Sequence, residues 1–187
     1  IFGAIPFVLS SSIPNPIDAL FETVSGFTTT GSSILTDVEV LPHCILIWRS
    51  FTHWIGGMGV LVFLLSLLPL AGGYHMNLMK AESPGPSVSK LVPKVQDTAK
   101  ILYTIYIGMT LLQIVLLLLG RIPLFDTLCI SFGTAGTGGF GIVNDSMGSY
   151  SLYIQIVITI FMILFGVNFN VYFLLLTRKF SQALKSE

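Results

Sequence analysis

Three long runs without a charged residue constrain this chain more than any other feature. They cover 50–79, 101–120 and 146–177, and each reaches the roughly 20 residues that a helix needs to cross a hydrocarbon core about 30 Å thick. The chain therefore reads as an integral membrane protein with three full spans. Only 10% of its 187 residues are charged and 53% are apolar, whereas a soluble domain carries about a quarter charged residues. Residues 1–13 are also charge-free but short, and no basic n-region precedes them, so they read as the remnant of a longer helix and not as a signal peptide.

The charges sum to zero but are sorted along the chain. Lys80, Lys90, Lys94 and Lys100 share one loop and Arg178, Lys179 and Lys185 lie in the tail, which assigns both to the cytoplasm by the positive-inside rule. Asp18, Glu22, Asp37, Glu39, Asp126 and Asp145 all fall on the opposite side. Acidic loops can be merely solvated, but this concentration also suits attraction of cations.

The sequence repeats itself. A shift of 108 positions places Asp18 on Asp126, Leu20 on Leu128, Gly31 on Gly139 and Asp37 on Asp145. In each copy the first Asp opens a short apolar segment, a Gly/Thr-rich stretch follows, and a long apolar span comes next, an organisation shared by many membrane transport proteins. The short segments, 17–27 and 125–135, would be about 16 Å long as helices and cannot cross. Each is predicted to enter halfway with Asp18 or Asp126 at its start, capping free N–H groups and favouring the positive dipole end. The chain must then return through non-helical backbone, tolerated in a bilayer only where it is buried in protein or lines a watery cavity.

Those return paths, 26–33 and 134–141, are where function is expected. The first contains Thr28, Thr29, Thr30 and Gly31; the second contains Gly136, Thr137, Gly138 and Gly139. Glycine permits positive φ and close backbone approach, so several carbonyls can face one axis and replace the water around a dehydrated alkali cation. Gly/Thr-rich turns are common in ordinary loops; what favours an ion filter is that two occur at equivalent repeat positions, each after a half-length helix. Gly136, Gly138 and Gly141 also match G-x-G-x-x-G, but no preceding strand, following helix or acidic residue about 20 positions on supports a dinucleotide site.

Other residues carry weaker signals. Glu22, Asp37 and Asp145 are candidates for pore lining or an outer vestibule. Arg49 either snorkels to the outer interface, the simpler reading, or is buried in an ion pair. Gly56, Gly57 and Gly59 suit close helix packing or pore lining, and Asn168 suits a hydrogen bond between helices or the conduction path. Cys44 and Cys129 read as small packing residues. His43, His53 and His75 lack metal-ligand spacing and read as interfacial or structural. No nucleophile–base pair or metal cluster points to an enzyme, and nothing points to nucleic acid or to an organic cofactor.

Two longer stretches carry a family resemblance. Residues 18–31, from Asp18-Ala19-Leu20-Phe21-Glu22 to Thr28-Thr29-Thr30-Gly31, followed by Trp48-Arg49-Ser50-Phe51-Thr52-His53-Trp54-Ile55-Gly56-Gly57-Met58-Gly59, closely resemble the first pore repeat of TrkH/KtrB-type potassium uptake proteins. Ala81-Glu82-Ser83-Pro84-Gly85-Pro86, the segment around Pro93 and Ala99, Gly138-Gly139-Phe140 and Gly166-Val167-Asn168-Phe169 are similar to the family's linker and second repeat. The resemblance implies an all-α membrane protein of tandem helix–pore loop–helix repeats, four around one ion path, of which this chain supplies two: a first repeat over 1–79, a cytoplasmic linker over 80–100, and a second repeat with a basic tail over 101–187. It places the family's filter glycines at Gly31 and Gly139, with potassium held by filter carbonyls. Related plant transporters that favour sodium carry Ser at the first of these, so Gly31 points towards potassium.

Potassium uptake across a prokaryotic inner membrane, with the filter loops facing outside, is the function this implies. The implied partners are membrane lipid, the two further repeats of a longer chain, a second copy in a homodimer, and a cytosolic nucleotide-binding regulator of the TrkA/KtrA type. A sodium-permeable or ion-coupled symporter and a non-conducting membrane scaffold are the alternatives.

Overall fold

The computed structural model describes residues 1–59, 88–167, 169, 171 and 172, with side chains throughout except over 88–98. Two compact units emerge, Ile1–Gly57 with Gly108–Val167, and Met58–Ile107 with Asn168–Glu187. In the second unit, Tyr106 stands between Tyr103 and Phe169, with ring centroids 6.5 and 5.9 Å away. The first unit holds both half-helices and both return paths.

All regular structure among the described residues is helical. A 3-10 turn, Phe2–Ala4, leads into the short α1 (Ile5–Leu9), and then come α2 (Pro16–Phe27), α3 (His43–Gly57), α4 (Val88–Leu119), α5 (Leu124–Ala135) and α6 (Leu152–Gly166). The half-helices α2 and α5 have 12 residues each, and their first and last residues are related by the same shift of 108. Each begins one residue before the predicted start. Pro16 accounts for this in α2, because its missing N–H would be unpaired in a first turn anyway.

The caps differ from expectation. Asn15, not Asp18, caps α2, its Oδ1 accepting from the Ile17 N–H at 3.0 Å, and α5 is preceded by Pro123 with no side-chain cap. Asp18 and Asp126 lie within the first turns, where a carboxylate still meets the positive end of the dipole but sits too far along to close the helix end.

Among the described residues one of the three expected spans is long and apolar enough to cross a membrane, and the helices at the other two are 15 residues each, with shifted starts. Helix α3 begins at His43, seven residues before the charge-free run, because Arg49 is buried inside it with its charge neutralised; residues 60–79 of that run lie outside the described residues. Helix α4 starts at Val88, within the segment expected as linker, and its 21-residue stretch Ala99–Leu119, with a mean hydropathy of 2.2 over an 18-residue window, is long and apolar enough to cross a membrane. Helix α6 starts at Leu152 and not at 146, since Ser146 takes a left-handed φ of +57° in the preceding turns. Its Ile154, Val157, Ile158, Phe161 and Phe165 are buried while Leu152, Ile156, Ile160 and Ile163 are exposed. A helix apolar on both faces suits lipid or further protein, not water.

Helix α3 is central to the first unit, packing against both α2 and α5. Phe7, Ala19, Leu41, Ile45, Leu46, Cys129 and Ile142 form one buried cluster from both repeats. Cys129 is therefore a packing residue, while Cys44 is exposed. Phe132 of α5 lies 5.8 Å from Phe51 and 5.6 Å from Trp54 of α3, ring centroid to ring centroid. The Tyr153 hydroxyl donates to the Leu116 carbonyl at 3.0 Å, fastening α6 to α4.

Candidate functional site

Both half-helices end on the same local plan. The Thr28 N–H donates to Val24 O at 2.8 Å and the Gly136 N–H to Phe132 O at 3.2 Å; Thr29 N–H donates to Gly26 O at 3.0 Å and Thr137 N–H to Thr134 O at 2.8 Å. Each pair is related by 108. The backbone conformation repeats too, with φ of +55° at Thr29 and +56° at Thr137, then +77° at Gly31 and +75° at Gly139. Positive φ at alternate residues allows successive carbonyls to turn towards one side of the chain. A β-branched residue in the left-handed region is disfavoured by about 1–2 kcal/mol. Its recurrence at Thr29 and Thr137 means that both repeats hold the same strained backbone at equivalent positions.

The two loops meet. A Cβ added at Gly31 would collide with the carbonyl oxygen of Gly138, so glycine is required at 31 both for its φ and for the approach of the second loop. Thr28 and Thr30 are exposed with their hydroxyls 2.8 Å apart, and Thr28 Oγ1 also donates to Val24 O at 2.7 Å. Thr29, Gly31 and Gly138 are half-buried, Thr137 and Gly139 exposed, and Gly136 buried. The C-terminal ends of α2 and α5 adjoin these loops, and their partial negative charge favours a cation there.

The return strands are tied down differently in the two repeats. In the first, Ser25 Oγ donates to Ser32 O at 2.5 Å. In the second, the equivalent of Ser25 is Gly133, and the Phe140 carbonyl approaches its backbone so closely that a Cβ would lie 2.8 Å away. One repeat uses a hydroxyl and the other direct backbone approach to hold the same position.

Behind the loops stands α3. Its His53 is fully buried, with its ring stacked on Phe140 at 3.9 Å between centroids and 12° between planes. The His53 carbonyl would lie 2.6 Å from a Cβ at Gly136, and its ring leaves no room for one at Gly138. Gly56 faces the Phe27 carbonyl equally closely, and Gly26 faces the Thr52 hydroxyl. His53 thus packs against the second loop, and Gly56 serves close packing against the first.

Arg49 departs from the snorkelling reading. It is 3% exposed, Nε donates to Glu22 Oε1 at 2.5 Å, Nη1 donates to Gly141 O at 2.9 Å, and the guanidinium lies 3.7 Å from the centre of the Phe140 ring. Glu22 is likewise corrected. It is 1% exposed and faces no vestibule, because its carboxylate accepts from Arg49, from Ser33 Oγ at 3.0 and 3.1 Å and from the Ile34 N–H at 3.0 Å. Removing one partner of such a buried pair costs about 3–5 kcal/mol.

Asp37 and Asp145 lie in the loops after the return strands. Asn144 joins the two loops: its Nδ2 donates to Asp37 Oδ1 at 2.8 Å, its N–H to Glu39 Oε1 at 3.0 Å, and its Oδ1 accepts from the Val38 N–H at 2.9 Å. The Asn144 side chain, with the Glu39 backbone N–H, holds the Asp37 carboxyl below its ordinary value of 3.8. Asp145 is exposed. Asn168 lies outside the described residues. No group of three or more metal-ligating His, Cys, Asp or Glu side chains occurs among the described residues.

Comparison with known proteins places this geometry. The family model described as TrkH, a cation transport protein, matches residues 3–186. The Trk system potassium uptake protein TrkH of Salmonella typhimurium is 40% identical over 179 residues, covering 94% of this chain and 37% of the relative. An uncharacterized cation transporter of Methanocaldococcus jannaschii is 37% identical over 179 residues, covering 95% and 37%. The crystal structure of the potassium transporter TrkH from Vibrio parahaemolyticus superposes with a TM-score of 0.72 at 32% identity, over 91% of this chain and 34% of that one. The chain thus spans little more than a third of the length of these relatives.

Proposed function

Because the chain belongs to the TrkH family of cation transport proteins, we propose that it supplies two of four filter strands in a membrane pore for potassium uptake. The observation that carries this reading is the meeting of two return loops with matching left-handed residues, Thr29 and Gly31 in one and Thr137 and Gly139 in the other. Backbone carbonyls of 28–31 and 136–139 select the ion by replacing its hydration shell. The dipole ends of α2 and α5 lower the cost of dehydration. Asp37 and Asp145 gather cations at the outer mouth. No covalent step is involved.

The relatives named for potassium uptake support the choice of ion, as does glycine at position 31. The remaining two strands come from further repeats of a longer chain, which pairs with a second copy in the inner membrane. The segment from Lys80 to Lys100, helical from Val88 onward, and the basic tail face the cytoplasm and meet a nucleotide-binding regulator of the TrkA/KtrA type.

Rubidium uptake into liposomes containing the full-length protein tests the reading, together with rescue of cells that lack potassium uptake. Flux and rescue are expected. A membrane scaffold gives neither, and a sodium-permeable or ion-coupled symporter gives a reversal potential that follows the sodium or proton gradient.

A further inference from the structure

The internal repeat contains one conspicuous asymmetry. Shifted by 108, Glu22 falls on Ile130 and Arg49 on Val157, and both of these are buried, at 1% and 8% exposure. The second repeat therefore has an apolar pair where the first has an ion pair. Yet the ion pair reaches both repeats. Ser33 and Gly141 are themselves equivalent under the same shift; Ser33 is held by Glu22 and Gly141 by Arg49. Each lies two residues beyond a left-handed glycine, Gly31 or Gly139.

We propose that Arg49 is a positioning residue for ion selection, which through Glu22 on one side and the Gly141 carbonyl on the other sets the spacing between the two filter loops. This rests on the reading of those loops as filter strands. A pair serving only its own repeat would end at Ser33 and Ile34, and its duplicate would be expected in the second. Here a single guanidinium uses two different nitrogens, Nε towards Glu22 of α2, which in turn holds the first loop, and Nη1 towards the second loop, while its face lies on Phe140. The planar fork of arginine suits this double attachment, and a lysine ammonium, a point charge on a flexible stem, does not reproduce it. Glu22 cancels the charge, so the bridge adds no net positive field behind a path meant for cations. The Gly141 carbonyl, engaged by Arg49, is kept from turning towards the ion, which limits the second strand's contribution to the residues before it.

The test measures potassium over sodium permeability, from reversal potentials, for the full-length protein in lipid bilayers. Arg49→Lys keeps the charge and the pairing with Glu22 but loses the attachment to Gly141. It is expected to lower potassium preference at least fivefold while the protein remains monodisperse. Ser33→Ala releases only one hydroxyl and is expected to lower it two- to threefold, which keeps the proposal testable if Arg49→Lys does not fold. Folded variants that discriminate as well as the unaltered protein overturn the positioning role alone. An unaltered protein that conducts without preferring potassium overturns the filter reading, and the positioning role with it.

Discussion

Serine in place of Gly31, in the full-length protein, attacks two features of the first loop together. Its φ of +77° disfavours any residue with a Cβ by about 1–2 kcal/mol. The new Cβ would also collide with the Gly138 carbonyl oxygen, and since the obstacle is backbone, relief requires one loop to move. Overpacking of this kind costs about 1–3 kcal/mol. The chain escapes both penalties by rotating the peptides around residue 31, which removes a carbonyl from its place among the others. Because about 1.4 kcal/mol corresponds to a tenfold change in an equilibrium constant, a loss of roughly tenfold or more in potassium over sodium selectivity is expected. Gly139→Ser is the control for the steric part, since φ there is +75° but the nearest obstacle is the Met162 Cε at 3.7 Å. Its effect is expected to be smaller, a few-fold. Reversal potentials in mixed potassium and sodium solutions measure both variants. Unchanged selectivity in Gly31→Ser, or a larger loss in Gly139→Ser, refutes the argument from loop contact.

Other expectations concern stability of the full-length protein. Phe140→Ala removes a ring that is 2% exposed and stacked between His53 and Arg49; a loss of about 3–5 kcal/mol is expected in reversible unfolding by detergent titration, and less than 1 kcal/mol would contradict the packing described. Gly56→Ala forces a methyl group against the Phe27 carbonyl and is expected to cost about 1–3 kcal/mol by the same assay. The depressed Asp37 carboxyl makes a pH-dependent contribution. A carboxylate whose folded pKa lies below its unfolded value stabilises the fold above that unfolded value, and the contribution is lost as pH falls through the folded pKa. With an ordinary value of 3.8, the loss begins around pH 4 and continues below it. Thermal unfolding between pH 6 and 3 is expected to show a shallower acid decline in Asn144→Ala than in the unaltered protein, and superimposable declines would contradict the pairing.

The half-helices were legible because two independent signals coincide in each, an Asp at the start and a Gly/Thr-rich stretch at the end, at a spacing of 108. Only one starting residue was missed at each. Span boundaries were less legible, since reading them from uncharged runs assumes that every charge lies outside. Arg49 breaks that assumption, its charge being cancelled by a partner 27 residues earlier in the chain. The sequence did contain a clue: an arginine among the apolar residues of 45–55 demands a counter-charge, and Glu22 lies well inside a half-helix, too far from its ends to be solvated. The contact with Gly141, 92 residues away, and the stacking of His53 on Phe140 left no local pattern. They depend on the two repeats packing around α3, and no periodicity within either repeat encodes that.

A heavier potassium mimic locates the selecting atoms most directly. Crystals of the full-length protein grown in rubidium and measured at the rubidium absorption edge are expected to show anomalous density between the loops, coordinated by carbonyl oxygens of 28–31 and 136–139. Density confined to the carboxylates of Asp37 and Asp145, with none between the loops, would contradict selection by the backbone.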